Sequence, residues 1–349
     1  MDIKLRYGNG GGSKNKYRGN LSEKGKISSL VEQGEISPAK ALRMLKSGNG
    51  KADTGGNDSS ASRKTNGVNK GQVQESSVED VLAELNQLVG LEAVKHLVKE
   101  LRAFIDIQQQ RQQMHLRTEP LVMHMIFRGN PGTGKTTVAR IIGQLFKEMN
   151  VLPKGHSIEV ERADLVGEYI GHTAQRTKEQ VKKALGGILF IDEAYSLARG
   201  GEKDFGKEAI DVLVKAMEDH KDDFILILAG YRDEMDWFLL TNPGLRSRFP
   251  IHIDFPDYTV DELLGISDLM LEKREYSLTP GAKVELRKLV NNKLIYGHEH
   301  SGNARLVRNI IEKAIRRQAV RLVNHHNLGR KELMRITPED LREAVKNDS

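Results

Sequence analysis

Short apolar runs with the length and composition of β-strands alternate along the chain with longer segments of helical periodicity. In one such segment Val138, Ile142 and Leu145 recur at the spacing of a helix face. This alternation favours a mainly parallel sheet whose strands are joined by right-handed crossovers. The predicted strands are Met123–Phe127, Ser157–Glu161, Gly187–Ile191, Phe224–Ala229 and Ile251–Phe255. We therefore predict an α/β domain over residues 77–256, with a five-stranded sheet flanked by helices.

Beyond Pro256 the pattern becomes helical only. Thr259 and Glu262 have the spacing of a capping box, which marks the start of a helix. The pairs Thr279-Pro280 and Thr337-Pro338 are typical of an N-cap followed by the first helical residue. A small all-helical C-terminal domain is predicted over residues 257–349.

The N-terminal segment, residues 1–76, has a different composition. Its Gly, Ser, Asn and Lys content leaves too little apolar area to offset the entropy lost on ordering. It is predicted to be a largely disordered tail, and only residues 27–46 have a pattern compatible with one or two short helices.

Charge is distributed unevenly along the chain. The chain has 54 Lys and Arg and 48 Asp and Glu, of which residues 1–77 hold 14 and 7, so this segment carries +7 and the remainder −1. The basic excess belongs to the tail, which argues against a nucleic-acid-binding body, although a basic tail remains able to contact an acidic surface.

The absence of cysteine excludes disulfides, zinc–thiolate sites and a thiol nucleophile. The apolar runs are too short to cross a bilayer, and the N-terminus lacks a hydrophobic signal segment. We expect a cytoplasmic protein with no membrane insertion.

The most informative motif is a glycine-rich loop that starts at Gly129 and ends in Lys135-Thr136. It fits G-x-x-x-x-G-K-[ST] and lies between a predicted strand and a predicted helix, the context in which this loop binds phosphates through its backbone N–H groups. Lys135 is predicted to reach the terminal phosphates, and the Thr136 hydroxyl to hold Mg²⁺. The predicted nucleotide-binding residues are Gly129, Asn130, Pro131, Gly132, Thr133, Gly134, Lys135, Thr136 and Thr137.

Two acids follow the most apolar predicted strand. Asp192 is expected to hold Mg²⁺ directly or through water, and Glu193 to orient and deprotonate the attacking water. Together with the loop, this pair predicts a protein that binds ATP and hydrolyses it. The turn containing Val89 and Gly90, before the first long helix, is predicted to pack against the base.

These blocks resemble the AAA+ ATPases, and more narrowly the CbxX/CfxQ family. The resemblance covers residues 80–345, and within the family the segment 196–210 is most similar to its sporulation members. It implies an AAA+ P-loop domain followed by a helical lid, a setting in endospore maturation, and assembly of identical subunits into a hexameric ring.

The resemblance also implies roles for three arginines. Arg248, supported by Arg246, would be offered to the γ-phosphate in a neighbouring subunit. Arg305, in the sequence Gly302-Asn-Ala-Arg305, would reach the nucleotide from the lid. Read without the family, all three are ordinary surface arginines. No residue at the end of the fourth strand, Ala229-Gly230-Tyr231, is assigned as the first sensor.

Tyr169-Ile170-Gly171 resembles the pore loop of rings that thread proteins. The aromatic side chain would grip an extended client, and the glycine would let the loop move. Without the resemblance, a packed loop residue is the simpler interpretation.

The function expected is therefore ATP-driven remodelling of an unknown protein client. Two alternatives stay open from the residues: a nucleic-acid motor that uses the basic tail, and a non-enzymatic scaffold whose ATP sets its oligomeric state.

Overall fold

A computed structural model describes residues 77–118, 122–169, 171–200, 204–296, 302–325 and 327–345. The predicted tail, residues 1–76, and Ile170 of the predicted pore loop lie outside these residues. No helix of the described ranges combines the length and the apolar character that a bilayer span requires.

The central sheet has five parallel strands in the order β2-β3-β4-β1-β5. The strands lie within one or two residues of the predicted runs: β1 Met125–Gly129, β2 Ser157–Val160, β3 Ile188–Ile191, β4 Ile225–Gly230 and β5 Ile251–Phe255. The α/β fold class with a mainly parallel five-stranded sheet is confirmed.

Helices cover both faces of the sheet. In β1, Phe127 packs into one apolar core and Ile126 into the other, because successive side chains of a strand point to opposite faces. Burial on both faces is the reason the central strands β3 and β4 read as continuous apolar runs. The helices of this part are α1 Val78–Gln87, α2 Glu92–Gln113, α3 Lys135–Glu148, α4 Arg162–Leu165, α5 His172–Ala184, α6 Gly206–Asp219, α7 Arg232–Thr241 and α8 Pro243–Arg246, with a 3₁₀ helix at Ala194–Ala198.

The C-terminal lid begins at the predicted capping box. The Thr259 hydroxyl accepts a hydrogen bond from the Glu262 N–H at 3.3 Å, and the Glu262 carboxylate accepts one from the Thr259 N–H at 2.7 Å. These bonds satisfy N–H groups that a helix start leaves unpaired. The lid helices are α9 Val260–Glu272, α10 Pro280–Tyr296, α11 Asn303–Leu322, α12 Arg330–Met334 and α13 Pro338–Val345.

The lid was predicted to be all-helical, and the structure adds a short parallel ladder to it. Strand β6, Ser277–Leu278, pairs with β7, Arg335–Ile336. Ile336 is fully buried in the same apolar core as α10 and α11. Two residues per strand are too few to produce a recognisable alternation in the sequence.

Candidate functional site

The site lies where three adjacent strands end. β1 has β4 and β5 as its neighbours, and β4 also pairs with β3, so the carboxyl ends of β3, β4 and β1 lie side by side. This edge is where ligands bind in open parallel sheets, because the loops that follow the strands diverge there. The sequence places the glycine-rich loop after β1 and the two acids after β3.

A cavity of about 480 Å³ lies over this edge. It brings together Lys135, Thr136, Asp192 and Glu193 from the α/β part with Arg305 from the lid. The other lining residues are Gly129, Pro131, Gly132, Gly134, Thr137, Arg140, Glu159, Glu161, Gly230, Tyr231, Ala304 and Arg308. Lining and polarity both suit a phosphorylated ligand more than an apolar one.

Lys135 is held inside the glycine-rich loop. Its Nζ donates hydrogen bonds to the carbonyl oxygens of Gly129 at 2.8 Å and Asn130 at 2.9 Å. Burial lowers the pKa of Lys135, and the nearby Asp192 carboxylate opposes that shift. The two carbonyl oxygens thus accept hydrogen bonds from N–H donors of Lys135 that are able to bind phosphate oxygens instead.

The conformation of the loop depends on its glycines. Gly132 and Gly134 have φ values of 75° and 97°, in the left-handed region, and Gly134 is the N-cap of α3. Glycine adopts this region without the steric cost that a Cβ imposes. The loop can therefore turn its backbone N–H groups toward the start of α3, where the helix dipole favours anions.

Asp192 and Glu193 follow β3 directly. Asp192 is half-buried, Glu193 is exposed, and both line the cavity. Glu193 has a φ of 46° and a ψ of 43°, which is left-handed and uncommon for a residue with a side chain. A carboxylate at each of two successive positions gives the cavity one group suited to a cation and one suited to a water.

The lid borders the cavity with the first two turns of α11. Arg305 and Arg308 are exposed there and both line the cavity. The prediction singled out Arg305 and missed Arg308, although a residue three positions further along a helix lies on the same face.

Three acidic and basic residues near β2 also line the cavity and were missed. Arg140 of α3 donates a 2.6 Å hydrogen bond from its Nε to the Glu159 carboxylate, and Glu161 lies beside them. No motif in the sequence marks these residues. They reach the cavity because β2 lies next to β3, and this strand order is seen only in the structure.

Tyr231, at the end of β4, supplies a further polar group to the cavity. Its ring lies 5.9 Å from that of Tyr195, and the Arg199 guanidinium lies 4.5 Å from the Tyr195 ring centroid. Burial, followed by the charge of Glu193, raises the pKa of Tyr231, so this hydroxyl is protonated at neutral pH. It occupies the place for which the sequence left the first sensor unassigned.

The remaining predicted residues lie away from the cavity. The Arg248 guanidinium donates hydrogen bonds to Glu218 and to the Gly244 carbonyl of its own chain, while Arg246 is exposed. Neither lines the cavity of the subunit that carries it. If these arginines act on a nucleotide, they must do so in the cavity of another subunit.

The predicted base-contacting turn lies at the junction with the lid. A Cβ on Gly90 would meet the Glu262 side chain, and a Cβ on Gly265 would lie 3.4 Å from Val89. Asn130 and Thr133 of the predicted loop also do not line the cavity. Thr133 is fully buried, and its hydroxyl donates a hydrogen bond to the Asn130 carbonyl at 2.8 Å. This contact stabilises the conformation of the loop.

Tyr169 and Gly171 of the predicted pore loop lie between α4 and α5. The Tyr169 side chain is 65% exposed, and its ring lies 5.4 Å from the His172 ring. Gly171 has a φ of 83°, and a Cβ there would meet nothing within 4 Å. The segment presents an aromatic ring to solvent beside a glycine that has free space around it.

Comparison with known proteins agrees with this architecture. Residues 125–257 match the family described as "ATPase family associated with various cellular activities (AAA)", and residues 259–349 match "AAA lid domain". The chain is 56% identical over 275 residues to "Stage V sporulation protein K" of Bacillus subtilis (strain 168), a match that covers 78% of this chain and 85% of that protein.

Further relatives come from other organisms. "Protein CbbX" of Cereibacter sphaeroides is 44% identical over 277 residues, covering 78% of this chain and 89% of the relative. "Ribulose bisphosphate carboxylase/oxygenase activase, chloroplastic" of Cyanidioschyzon merolae (strain NIES-3377 / 10D) is 42% identical over 274 residues, covering 77% and 93%. With this much identity over most of each relative, the chain belongs to the CbxX/CfxQ family of AAA+ ATPases and is an ATP hydrolase.

Proposed function

We propose that this chain assembles into a homo-hexameric ring that uses ATP hydrolysis to remodel a protein client drawn into its central pore. The observation that carries the proposal is the cavity at the ends of β1, β3 and β4, where Lys135, Asp192, Glu193 and the lid residue Arg305 meet. These are the charges that phosphoryl transfer requires: cations for the phosphates, a carboxylate for a metal and a carboxylate for water.

Lys135, the loop N–H groups and Arg305 are proposed to bind different parts of the phosphate chain. Lys135 exchanges its two carbonyl partners for oxygens of the terminal phosphates, and the N–H groups of residues 129–137 bind the rest of the chain of phosphates. Arg305 approaches the same phosphates from the lid, so that the lid follows the state of the nucleotide.

The residues present fit Mg²⁺. Asp192 and Thr136 give the cavity a carboxylate and a hydroxyl, which are hard oxygen donors, and no cluster of three metal-ligating side chains occurs in the described ranges. This donor set suits an ion that takes few protein ligands and completes its shell with phosphate oxygens and water. When bound, the ion neutralises charge that develops on the phosphates.

Glu193 is the proposed general base. It is exposed to the cavity, and its carboxylate orients the attacking water and accepts its proton. Replacement by Gln keeps the shape of the side chain and removes this capacity.

We propose that a second subunit adds one further cation to this set. Arg248 and Arg246 lie outside the cavity of their own chain, and we propose that Arg248, supported by Arg246, acts on the γ-phosphate of a neighbour. An active site shared in this way is a heterologous contact, and such contacts close into a ring when the rotation between neighbouring subunits permits closure.

The client is proposed to be held by the exposed Tyr169 ring, with Ile170 and Gly171 completing the loop. An aromatic ring contacts an extended chain without regard to its sequence, since its contribution is mainly apolar area. The name of the Bacillus subtilis relative supports a setting in sporulation. We propose endospore maturation in the bacterial cytoplasm as that setting.

The proposal is tested with Glu193→Gln, and Glu179→Gln on the exposed face of α5 serves as the matched control. Glu193→Gln is expected to bind ATP in the presence of Mg²⁺, to lose at least about 100-fold in turnover as general-base loss implies, and to retain a protein client on crosslinking. The control should turn over ATP normally and release the client.

Recovery of nucleic acid in place of protein, with binding that weakens steeply as salt rises, would favour the nucleic-acid motor. Full biological activity of Glu193→Gln would favour the scaffold. Unchanged turnover on removal of Mg²⁺ by a chelator would contradict the metal assignment.

A further inference from the structure

Asp257 lies in the hinge between β5 and the lid, and its carboxylate joins two parts of the molecule. It accepts hydrogen bonds from the Asn130 side-chain amide, with N···O distances of 3.0 and 2.9 Å to its two oxygens. It also accepts one from the Asn303 amide at 2.8 Å. Asn130 belongs to the phosphate loop, and Asn303 is the first residue of α11.

Asn303 is the more constrained partner. It is 1% exposed and has a φ of 40°, a left-handed conformation that asparagine tolerates better than most residues. Its side-chain oxygen accepts from the Tyr258 N–H at 3.0 Å, and its amide nitrogen also lies 3.4 Å from the Pro131 carbonyl. Both polar atoms of its side chain therefore contact the hinge or the loop.

Two further hydrogen bonds to backbone carbonyls of the phosphate loop support the same contact. The Ala304 N–H donates to the Gly132 carbonyl at 3.2 Å, and the Tyr258 hydroxyl donates to the Thr133 carbonyl at 3.0 Å. A Cβ on Gly132 would lie 2.5 Å from the Gly302 carbonyl oxygen, so loop and lid are in close backbone contact. The phosphate loop, the hinge and the start of α11 thus form one bonded unit.

We propose that Asp257 is a positioning residue that holds the start of α11 on the phosphate loop, and so places Arg305 and Arg308 at the phosphates. The inference rests on the proposed function for the role of Arg305. Asp257 does not line the cavity, and it acts through Asn130 and Asn303.

A carboxylate is the group this position requires. Both partners present N–H donors, and an ionised aspartate offers acceptors only, so it satisfies both at once. Asp257 Oδ1 accepts from both amides, so an asparagine that keeps its oxygen there would set its own N–H₂ against the Asn130 amide, which lies 2.9 Å from the second carboxylate oxygen. Loss of a bond to a charged group lowers the equilibrium constant for docking of the lid by about tenfold or more.

The test compares Asp257→Asn with the exchanged pair Asp257→Asn/Asn303→Asp. In the double variant the amide introduced at position 257 can donate to the carboxylate introduced at position 303. The oxygen of that amide still accepts from Asn130. Donor and acceptor are exchanged between positions 257 and 303, and the link is kept. Asp261→Asn is the matched control, because Asp261 of α9 forms an exposed ion pair with Arg287 of α10 and makes no described contact with the loop.

Two readouts are used: amide exchange of residues 303–310 in the ATP-bound Glu193→Gln background, and kcat and KM in the otherwise unaltered chain. Asp257→Asn is expected to speed exchange by about tenfold, and to lower kcat more than it changes KM, since Lys135 and the loop amides still bind phosphate. The double variant should recover at least half of the lost protection and turnover, and the control should match the parent.

Unchanged exchange in Asp257→Asn, or a folded double variant that binds ATP and recovers nothing, would overturn the proposal. Absence of turnover in the parent chain would instead contradict the proposed function. The exchange experiment needs no turnover and still reports on Asp257 in that case.

Discussion

The backbone N–H of Glu193 donates a 3.0 Å hydrogen bond to the carboxylate of Asp192, the residue directly before it. This bond accompanies the left-handed backbone of Glu193, with φ 46° and ψ 43°. A residue with a side chain pays about 1 kcal/mol or more to stay in this region. The backbone strain is therefore located at the proposed metal ligand, Asp192, and the proposed general base, Glu193.

Glu193→Asn is therefore expected to be more stable than Glu193→Gln. Asparagine accepts the left-handed region more readily, so its free energy of unfolding should exceed that of the Gln variant by about 0.5–1 kcal/mol. Both variants should lack turnover. Urea denaturation of the two proteins measures the difference, and a Gln variant equal to or more stable than the Asn variant would show that the backbone is not strained.

Gly132→Ala and Gly171→Ala form a matched pair for the docking of the lid. Both glycines have positive φ values, so both substitutions carry the same backbone cost of about 1 kcal/mol. Only at Gly132 does the new Cβ also collide with the Gly302 carbonyl. We expect Gly132→Ala to lose ATP affinity and Gly171→Ala to keep it, as measured by nucleotide titration. Equal losses would mean that backbone strain alone decides.

His124 predicts how stability depends on pH. It is buried between Phe224 and Phe249, and its Nδ1 accepts a hydrogen bond from the Leu226 N–H at 3.0 Å. Burial lowers the pKa of His124 from 6.5 to about 4, so the unfolded chain binds the proton more tightly. Its stabilising contribution is complete above pH 6.5 and is lost as the pH falls toward 4.

Between pH 7 and pH 5 this group alone should lower the free energy of unfolding by about 2 kcal/mol. His124→Asn keeps an acceptor near the position of Nδ1 and does not titrate. That variant should start less stable at pH 7 and lose about 2 kcal/mol less on acidification. Denaturant titrations of both proteins at the two pH values test this, and identical losses would contradict it.

Mixed rings test whether Arg248 acts on a neighbouring subunit. Arg248→Ala leaves its own nucleotide cavity complete, while Lys135→Ala leaves the arginine complete, so neither variant alone should turn over ATP at more than about 1% of the normal rate. Where the two meet, a complete Arg248 faces a complete cavity. Mixing should restore part of the rate, and a mixture no faster than its components would argue against action in trans.

Much of the fold was predictable because its signals are local. The glycine-rich loop, the apolar run before Asp192 and the Thr259–Glu262 capping box each lie within a few residues of one another, and each forms as expected. Periodicity in a short window reports on which face of an element is buried. Lys135, Thr136, Asp192 and Glu193 lie in these segments or directly after them, and they line one cavity.

The missed features depend on contacts between distant residues. Glu159 enters the cavity because β2 pairs with β3, and Asp257 acts through Asn130 and Asn303, which lie far from it in the chain. No local pattern records such a contact, since each residue alone is an ordinary polar side chain. The roles proposed for Arg248 and Tyr169 depend on neighbouring subunits and therefore stay predictions.

The ladder between β6 and β7 ties the segment after the first lid helix to the segment before the last one. Because Ile336 anchors this clasp in the apolar core, α9 through α13 cannot splay apart without breaking it. Under the proposed function, a change at the phosphates that moves the start of α11 would therefore tilt the lid helices together about residue 257.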